Sequence, residues 1–341
     1  MRVNLAVLSR KIPIGGNIAL YELANELSAL GLHLNLLHCG LNAPTEVEGI
    51  EDIPWFDFAP EIEHFFMGTL EYPVREVPPA DVISTDWSGR PSHAGKPFQF
   101  IQGKGIFGKD VEAACYLNDQ LKICVSRWLV DVGIELGAEA DTLLHVPLGV
   151  RHEKYRCITP PEDRSSKVAL CFHRSPLKRV RAAIKVLTRV KEHMPELEVV
   201  AFGFDSRQIA DESGIPQWVE YHQEPNQAFL ISRVYNAAAV FLCTSRWEGF
   251  GMPSLEAMAC GAALVTTDNG GSREFARHGE TALVCQPGDV EGLARSVMDL
   301  LSNRALRLRV AKGGLEEAQR FSWKASAQTL ASALQDYCEN P

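Results

Sequence analysis

Short apolar, β-branched runs alternate with longer helical patterns along almost the whole chain, and this alternation constrains the fold more than any other feature. In the first half "VNLAVLS", "LHLNLLHC", "DVIS", "FQFIQ" and "KICVS" read as strands. Between the first two lies a stretch, 17–30, with Ile18, Leu23, Leu27 and Leu30 at helical spacing. The second half repeats the scheme with "KVALCF", "LEVVAFG", "VEYH", "AAVFLCTS", "ALVTTD" and "ALVCQ". Strands that are apolar throughout and separated by helices belong to parallel sheets covered on both faces. Two such series predict two Rossmann-like, doubly wound α/β domains, and 341 residues suit two domains. The seam falls near "VPLGVRHEKYRCITPPEDRSS", where proline, glycine and charge concentrate. The predicted domains are therefore 1–150 and 151–325.

Composition narrows the function. With 46% hydrophobic and 23% charged residues the chain reads as water-soluble and globular. No apolar run reaches the length of a membrane span. The opening "MRVNLAVLSRKIP" reads as a strand, not a secretion signal. Nine cysteines with no C-x-x-C suit reduced thiols, so a cytoplasmic location is expected. A net charge of −9 argues against nucleic acid as partner. That charge is uneven: residues 1–150 carry a net −10 and residues 151–341 a net +1. A second domain relieved of negative charge suits the receipt of a small anion.

The stretch "SRWEGFGMPSLEAMACG", 245–261, carries the chemistry. Its flanks predict a strand, a glycine-rich turn and a helix. Pro253 suits the start of that helix, and Gly261 suits its end. Glu248 lies before the turn and Glu256 in the first helical turn, so both can face one pocket. Gly249 and Gly251 allow close backbone approach, and the helix start favours anionic oxygens. A carboxylate accepts two hydrogen bonds side by side, which suits the vicinal hydroxyls of a ribose or a sugar ring.

"EGFGMPSLEAMACG" resembles the E-x7-E signature of the retaining, GT-B-fold family 4 glycosyltransferases. Other segments resemble that family in the same order: "PIGGNIALYELANELSALGLHLNLL", "ICVSRWLVDVGIELG", "VPLGV", "CFHRSPLK", "DNGGSREF" and "RFSWKASAQTLASAL". The resemblance implies two Rossmann-like domains facing an interdomain cleft. It also implies a closing helix, 326–341, that packs back toward the first domain. It implies transfer of a hexose-type sugar from a nucleoside-diphosphate sugar to a hydroxyl of a glycan, glycolipid or small molecule. Peripheral membrane contact is compatible with a glycolipid acceptor.

The resemblance also assigns residues. Arg174 and Lys178 would grip the diphosphate, the spacing leaving open whether Lys178 or Arg179 is the second cation. Glu256 would hold the ribose hydroxyls. Glu248 would face the transferred sugar, with the backbone at Phe250, Gly251 and Met252 beside it. Gly15 and Gly16 would bring helix-start N–H groups to a phosphate. Many members carry a histidine after the strand "DVIS"; Asp86 stands there in this chain and is the first-domain catalytic candidate, whereas His93 is out of register. No Asp-x-Asp occurs, so no metal and no further cofactor is expected.

Two rivals come from other classes. "GKGIFG" matches G-x-G-x-x-G at Gly103, Gly105 and Gly108, which suggests an NAD-dependent oxidoreductase. That motif needs an acid ending the following strand, but "KICVS" ends in Ser126. The other rival is a degenerate transferase that binds donor without turnover.

Overall fold

The computed structural model describes residues 1–40, 46–69, 77–84, 95–105 and 108–339. The chain forms two compact units, Val150–Ser322 and a discontinuous unit made of Met1–Gly149 and Trp323–Pro341. The sequence placed the seam one residue later and began the closing helix at 326. The bonding places them otherwise. The Val150 N–H donates to the Phe321 carbonyl at 3.2 Å, which ties Val150 to the second unit. The closing helix begins at Trp323, whose ring is buried.

Among the described residues the first unit contains seven strands: β1 (Arg2–Leu8), β2 (His33–Gly40), β3 (Glu63–Thr69), β4 (Val82–Ser84), β5 (Lys96–Ile101), β6 (Leu121–Cys124) and β7 (Leu143–His145). They pair in parallel in the order β3-β2-β1-β4-β5-β6-β7. The second unit contains β8 (Lys167–Cys171), β9 (Glu198–Gly203), β10 (Glu220–Gln223), β11 (Val240–Cys243), β12 (Ala263–Thr267) and β13 (Ala282–Cys285). Their order is β10-β9-β8-β11-β12-β13, again parallel. Each sheet reverses its strand order once, between β1 and β4 and between β8 and β11. At such a switch point successive helices leave to opposite faces and a crevice opens beyond the carboxyl ends of the strands. Every strand expected from the sequence is present; β3 and β7 are additional.

The closing helix, Trp323–Glu339, packs on the helix Gly15–Ala29 of the first unit. Ser326 Oγ donates to the Pro147 carbonyl at 2.5 Å, and Lys96 Nζ donates to the Tyr337 carbonyl at 2.6 Å. No helix among the described residues is long and apolar enough to cross a membrane.

One polar chain runs through the first unit's interior. Ser9 Oγ lies 2.6 Å from His38 Nδ1, and His38 Nε2 lies 2.9 Å from His64 Nδ1. His38 is wholly buried and stacks on Phe66. Burial first, then the neighbouring His64, lowers its pKa to about 3. The unfolded chain therefore takes up a proton near pH 6.5 that the folded chain refuses. Stability should be insensitive to His38 above pH 7 and should fall as pH drops below 6.5, by up to about 1.4 kcal/mol per pH unit. Urea melts at pH 7.5, 6.0 and 5.0 check this; His38→Gln should flatten the decline.

Candidate active site

A cavity opens at the second unit's switch point, where the reversal of strand order puts it. Leu170 and Cys171 end β8 on one side, and Leu242 and Cys243 end β11 on the other. Lys178, Ser245, Glu248, Gly251 and Pro253 are also among the lining residues. The short 3-10 turn Pro176–Lys178 carries the lysine. Ser175 caps it, accepting from the Leu177 N–H at 3.3 Å.

Lys178 Nζ donates to both oxygens of Glu248, at 2.8 and 2.6 Å. Ser245 Oγ donates to Glu248 Oε1 at 2.6 Å, and Thr267 Oγ1 holds the Ser245 carbonyl at 2.5 Å. Burial opposes the charge on Lys178, but the facing Glu248 carboxylate outweighs it and raises the ammonium's pKa. Lys178 is therefore protonated at neutral pH and stands in the cavity wall as an ion pair with Glu248. The Cys171 thiol, pushed up to about 12 by burial, stays protonated beside it.

Arg179 takes a different direction. Its backbone is left-handed at φ 51°, and its carbonyl and that of Lys178 both accept from Thr244 Oγ1. Its guanidinium lies against Gly288, where an added Cβ would approach it to 3.3 Å. Of the two cations that the sequence left open, Lys178 is the one lining the cavity. Arg174 is 70% exposed and sits 3.4 Å from Asp205; it is not among the lining residues.

The glycine-rich turn is built as its residues require. Gly251 sits at φ +100°, the left-handed region that glycine enters without strain, and caps the helix Met252–Ala259 with Pro253 in its first turn. Gly261 follows that helix at φ +87°. The backbone of Glu248 is pinned to the "NGG" loop: its N–H donates to the Asn269 carbonyl at 3.0 Å, and its carbonyl accepts from Gly271 at 3.2 Å. A side chain at Gly271 would collide with the Phe250 backbone, so glycine there lets the two loops close. Phe250 itself is buried among Phe275 and Phe321, leaving only its backbone for a ligand.

Glu256 is half-buried one helical turn on and does not line the cavity. Its Oε2 accepts from the Tyr235 hydroxyl at 2.8 Å. The sequence reading missed Tyr235 and Ser245 as partners. Ser245 lay two residues beyond a strand in the quoted stretch; Tyr235 is far from it in sequence and gave no local signal.

In the first unit, Gly15 and Gly16 are exposed and open the helix Gly15–Ala29, whose first N–H groups have no intrahelical partner. Asp86 and His93 lie outside the described residues. The G-x-G-x-x-G stretch follows β5, one strand away from the β1/β4 switch point. The Gly105 N–H donates to Glu112 at 2.8 Å, and Ser126 after β6 is buried. A dinucleotide fingerprint belongs at the switch point with an acid after the next strand; this one has neither.

Comparison with known proteins agrees with this geometry. Residues 159–317 match the family model described as glycosyl transferases group 1. The chain is 25% identical over 247 residues to D-inositol 3-phosphate glycosyltransferase of Corynebacterium glutamicum, covering 65% of this chain and 58% of that protein. Thus the match spans less than two thirds of the relative's length. Sucrose-phosphate synthase from Thermosynechococcus elongatus superimposes with a TM-score of 0.80 at 18% identity, over 100% of both chains. An Anabaena protein solved with UDP and glucose superimposes with a TM-score of 0.76 at 17% identity, over 98% of this chain and 100% of that one. These likenesses show the GT-B fold, two Rossmann-like units with parallel sheets.

Proposed function

Starting from a second unit whose residues 159–317 match the glycosyl transferases group 1 model, we propose that this chain moves a hexose-type sugar from a nucleoside-diphosphate sugar to an acceptor hydroxyl, with retention of anomeric configuration. The observation that carries the reading is the Lys178 ammonium, held charged by Glu248 at the switch-point crevice of the second unit.

In this reading the acceptor oxygen bonds to the anomeric carbon on the face from which the diphosphate departs. The bond between that carbon and the diphosphate oxygen breaks, and a phosphate oxygen takes the acceptor's proton. Lys178 stabilises the negative charge that builds on the leaving group, and a preformed cation does so without reorganisation. Arg174, exposed and at the end of a long side chain, turns from Asp205 to the same diphosphate. Glu248 accepts hydroxyls of the transferred sugar while retaining its bond from Ser245. Glu256 accepts the ribose hydroxyls. The cationic clamp takes the place of a metal, so the rate should be the same with EDTA as with magnesium. Acceptors in this reading are glycans, glycolipids or small molecules. Nine cysteines outside disulfides suit a reducing cytoplasm.

A thermal-shift panel of UDP, GDP, ADP, dTDP and NAD, each without metal, tests the class. A ligand at about 100 times its dissociation constant stabilises by roughly 2.7 kcal/mol, which a melt resolves. A shift with one nucleoside diphosphate supports the reading and identifies the base. A shift with NAD alone, or with none of the five, sinks it.

A further inference from the structure

Glu256 is held from behind by the buried Tyr235, with the half-buried Tyr155 beside that ring. Tyr235 is fully buried and donates to Glu256 Oε2 at 2.8 Å. It ends a π-helical turn, Leu230–Tyr235, a rare local winding that changes the direction in which side chains leave the helix. Its ring is enclosed by Phe202 and Phe241, with centroids 5.7 Å away in each case, and by Tyr155 at 6.2 Å. Burial first, then the charge of Glu256, raises the pKa of both tyrosines well above the ordinary range, so both hydroxyls stay protonated.

The loop that carries Tyr155 is fastened to the same turn. Asn236, next to Tyr235, accepts from the Ile158 N–H at 2.6 Å and donates to the Arg156 carbonyl at 3.0 Å. Gln227 donates to the Tyr155 hydroxyl at 3.2 Å. Packing alone would be satisfied by phenylalanine at 235. A hydroxyl there, aimed at a carboxylate on another helix, fixes the orientation of that carboxylate.

We propose that Tyr235, with Tyr155 beside it, is a positioning residue that holds the Glu256 carboxylate in the orientation that receives the ribose 2′- and 3′-hydroxyls, and so sets a preference for ribonucleotides over 2′-deoxyribonucleotides. The inference rests on the donor-site reading above. An anchored carboxylate keeps lone pairs for two further hydrogen bonds. It also spends no binding energy on being ordered when the nucleotide arrives.

The test measures binding of UDP, GDP and ADP, each beside its 2′-deoxy form, to the wild type, Glu256→Ala and Tyr235→Phe by calorimetry. A hydrogen bond to a charged group is worth roughly 10- to 100-fold in affinity, so the wild type should prefer the ribonucleotide by about 10-fold or more. Glu256→Ala should show no preference. Tyr235→Phe should keep a cooperative melt, bind its ribonucleotide several-fold more weakly, and lose most of the preference. A purely structural tyrosine would weaken both sugars equally. Folded Tyr235→Phe with the wild-type preference therefore overturns the inference and leaves Glu256 in its role. Glu256→Ala with the wild-type preference overturns the donor-site reading itself. If Tyr235→Phe does not fold, Tyr155→Phe is judged by the same criterion.

Discussion

Replacing Lys178 with alanine should lower kcat for sugar transfer by about 10²- to 10³-fold, the usual loss when one preorganised donor to a developing negative charge is removed. The substitution also strips the counter-ion from Glu248, whose side chain is only 11% exposed. Breaking a buried pair costs more than the pair was worth, but Lys178 is itself about one-third exposed, so the stability loss should be about 1–3 kcal/mol. Initial rates at saturating donor, paired with a melt, separate the two effects. A merely structural lysine would lower the melting temperature and leave kcat near wild type. Arg179→Ala is the contrast: its guanidinium lies at Gly288, so its kcat should stay within a few-fold of wild type.

Glu256→Ala should weaken nucleoside-diphosphate binding by about 10²-fold or more. Two charge-assisted hydrogen bonds of roughly 1.5–3 kcal/mol each are removed. Fold should be less affected, because the residue is half-buried on a helix whose apolar neighbours Leu255, Ala257 and Met258 remain in place. Titration of UDP, GDP and ADP against wild type and variant measures the loss. Equal affinities in a folded variant would remove Glu256 from the site. The defect should appear in KM for the donor far more than in kcat, since the ribose is held alike before and during transfer.

Both sheets were legible because their central strands are buried on both faces, and unbroken apolar strings such as "VALC" and "VFLC" have few other uses. β3 and β7 escaped because they are the two edges of the first sheet. β3, "EHFFMGT", mixes buried and exposed residues over 63–67 without strict alternation, and β7 is three half-buried residues long. The turn at Gly251 was legible because glycine and proline carry fixed backbone meanings. That Lys178 rather than Arg179 enters the cavity was not. The choice depends on a left-handed φ at Arg179 and on Thr244, just past the end of β11, donating to two successive carbonyls. Contacts between distant segments leave no periodicity to read, and the bond from Tyr235 to Glu256 is hidden for the same reason.

The closing helix has a consequence for biosynthesis. Chains leave the ribosome amino end first, and domains fold as units when their residues are available. Residues 150–322 form a unit from one uninterrupted stretch, whereas the first unit needs Trp323, Leu330 and Leu334 to finish its packing. All seven strands of the first sheet are therefore synthesised before the helix that seals them, and the whole second unit emerges in between. During translation the part made first is the part completed last.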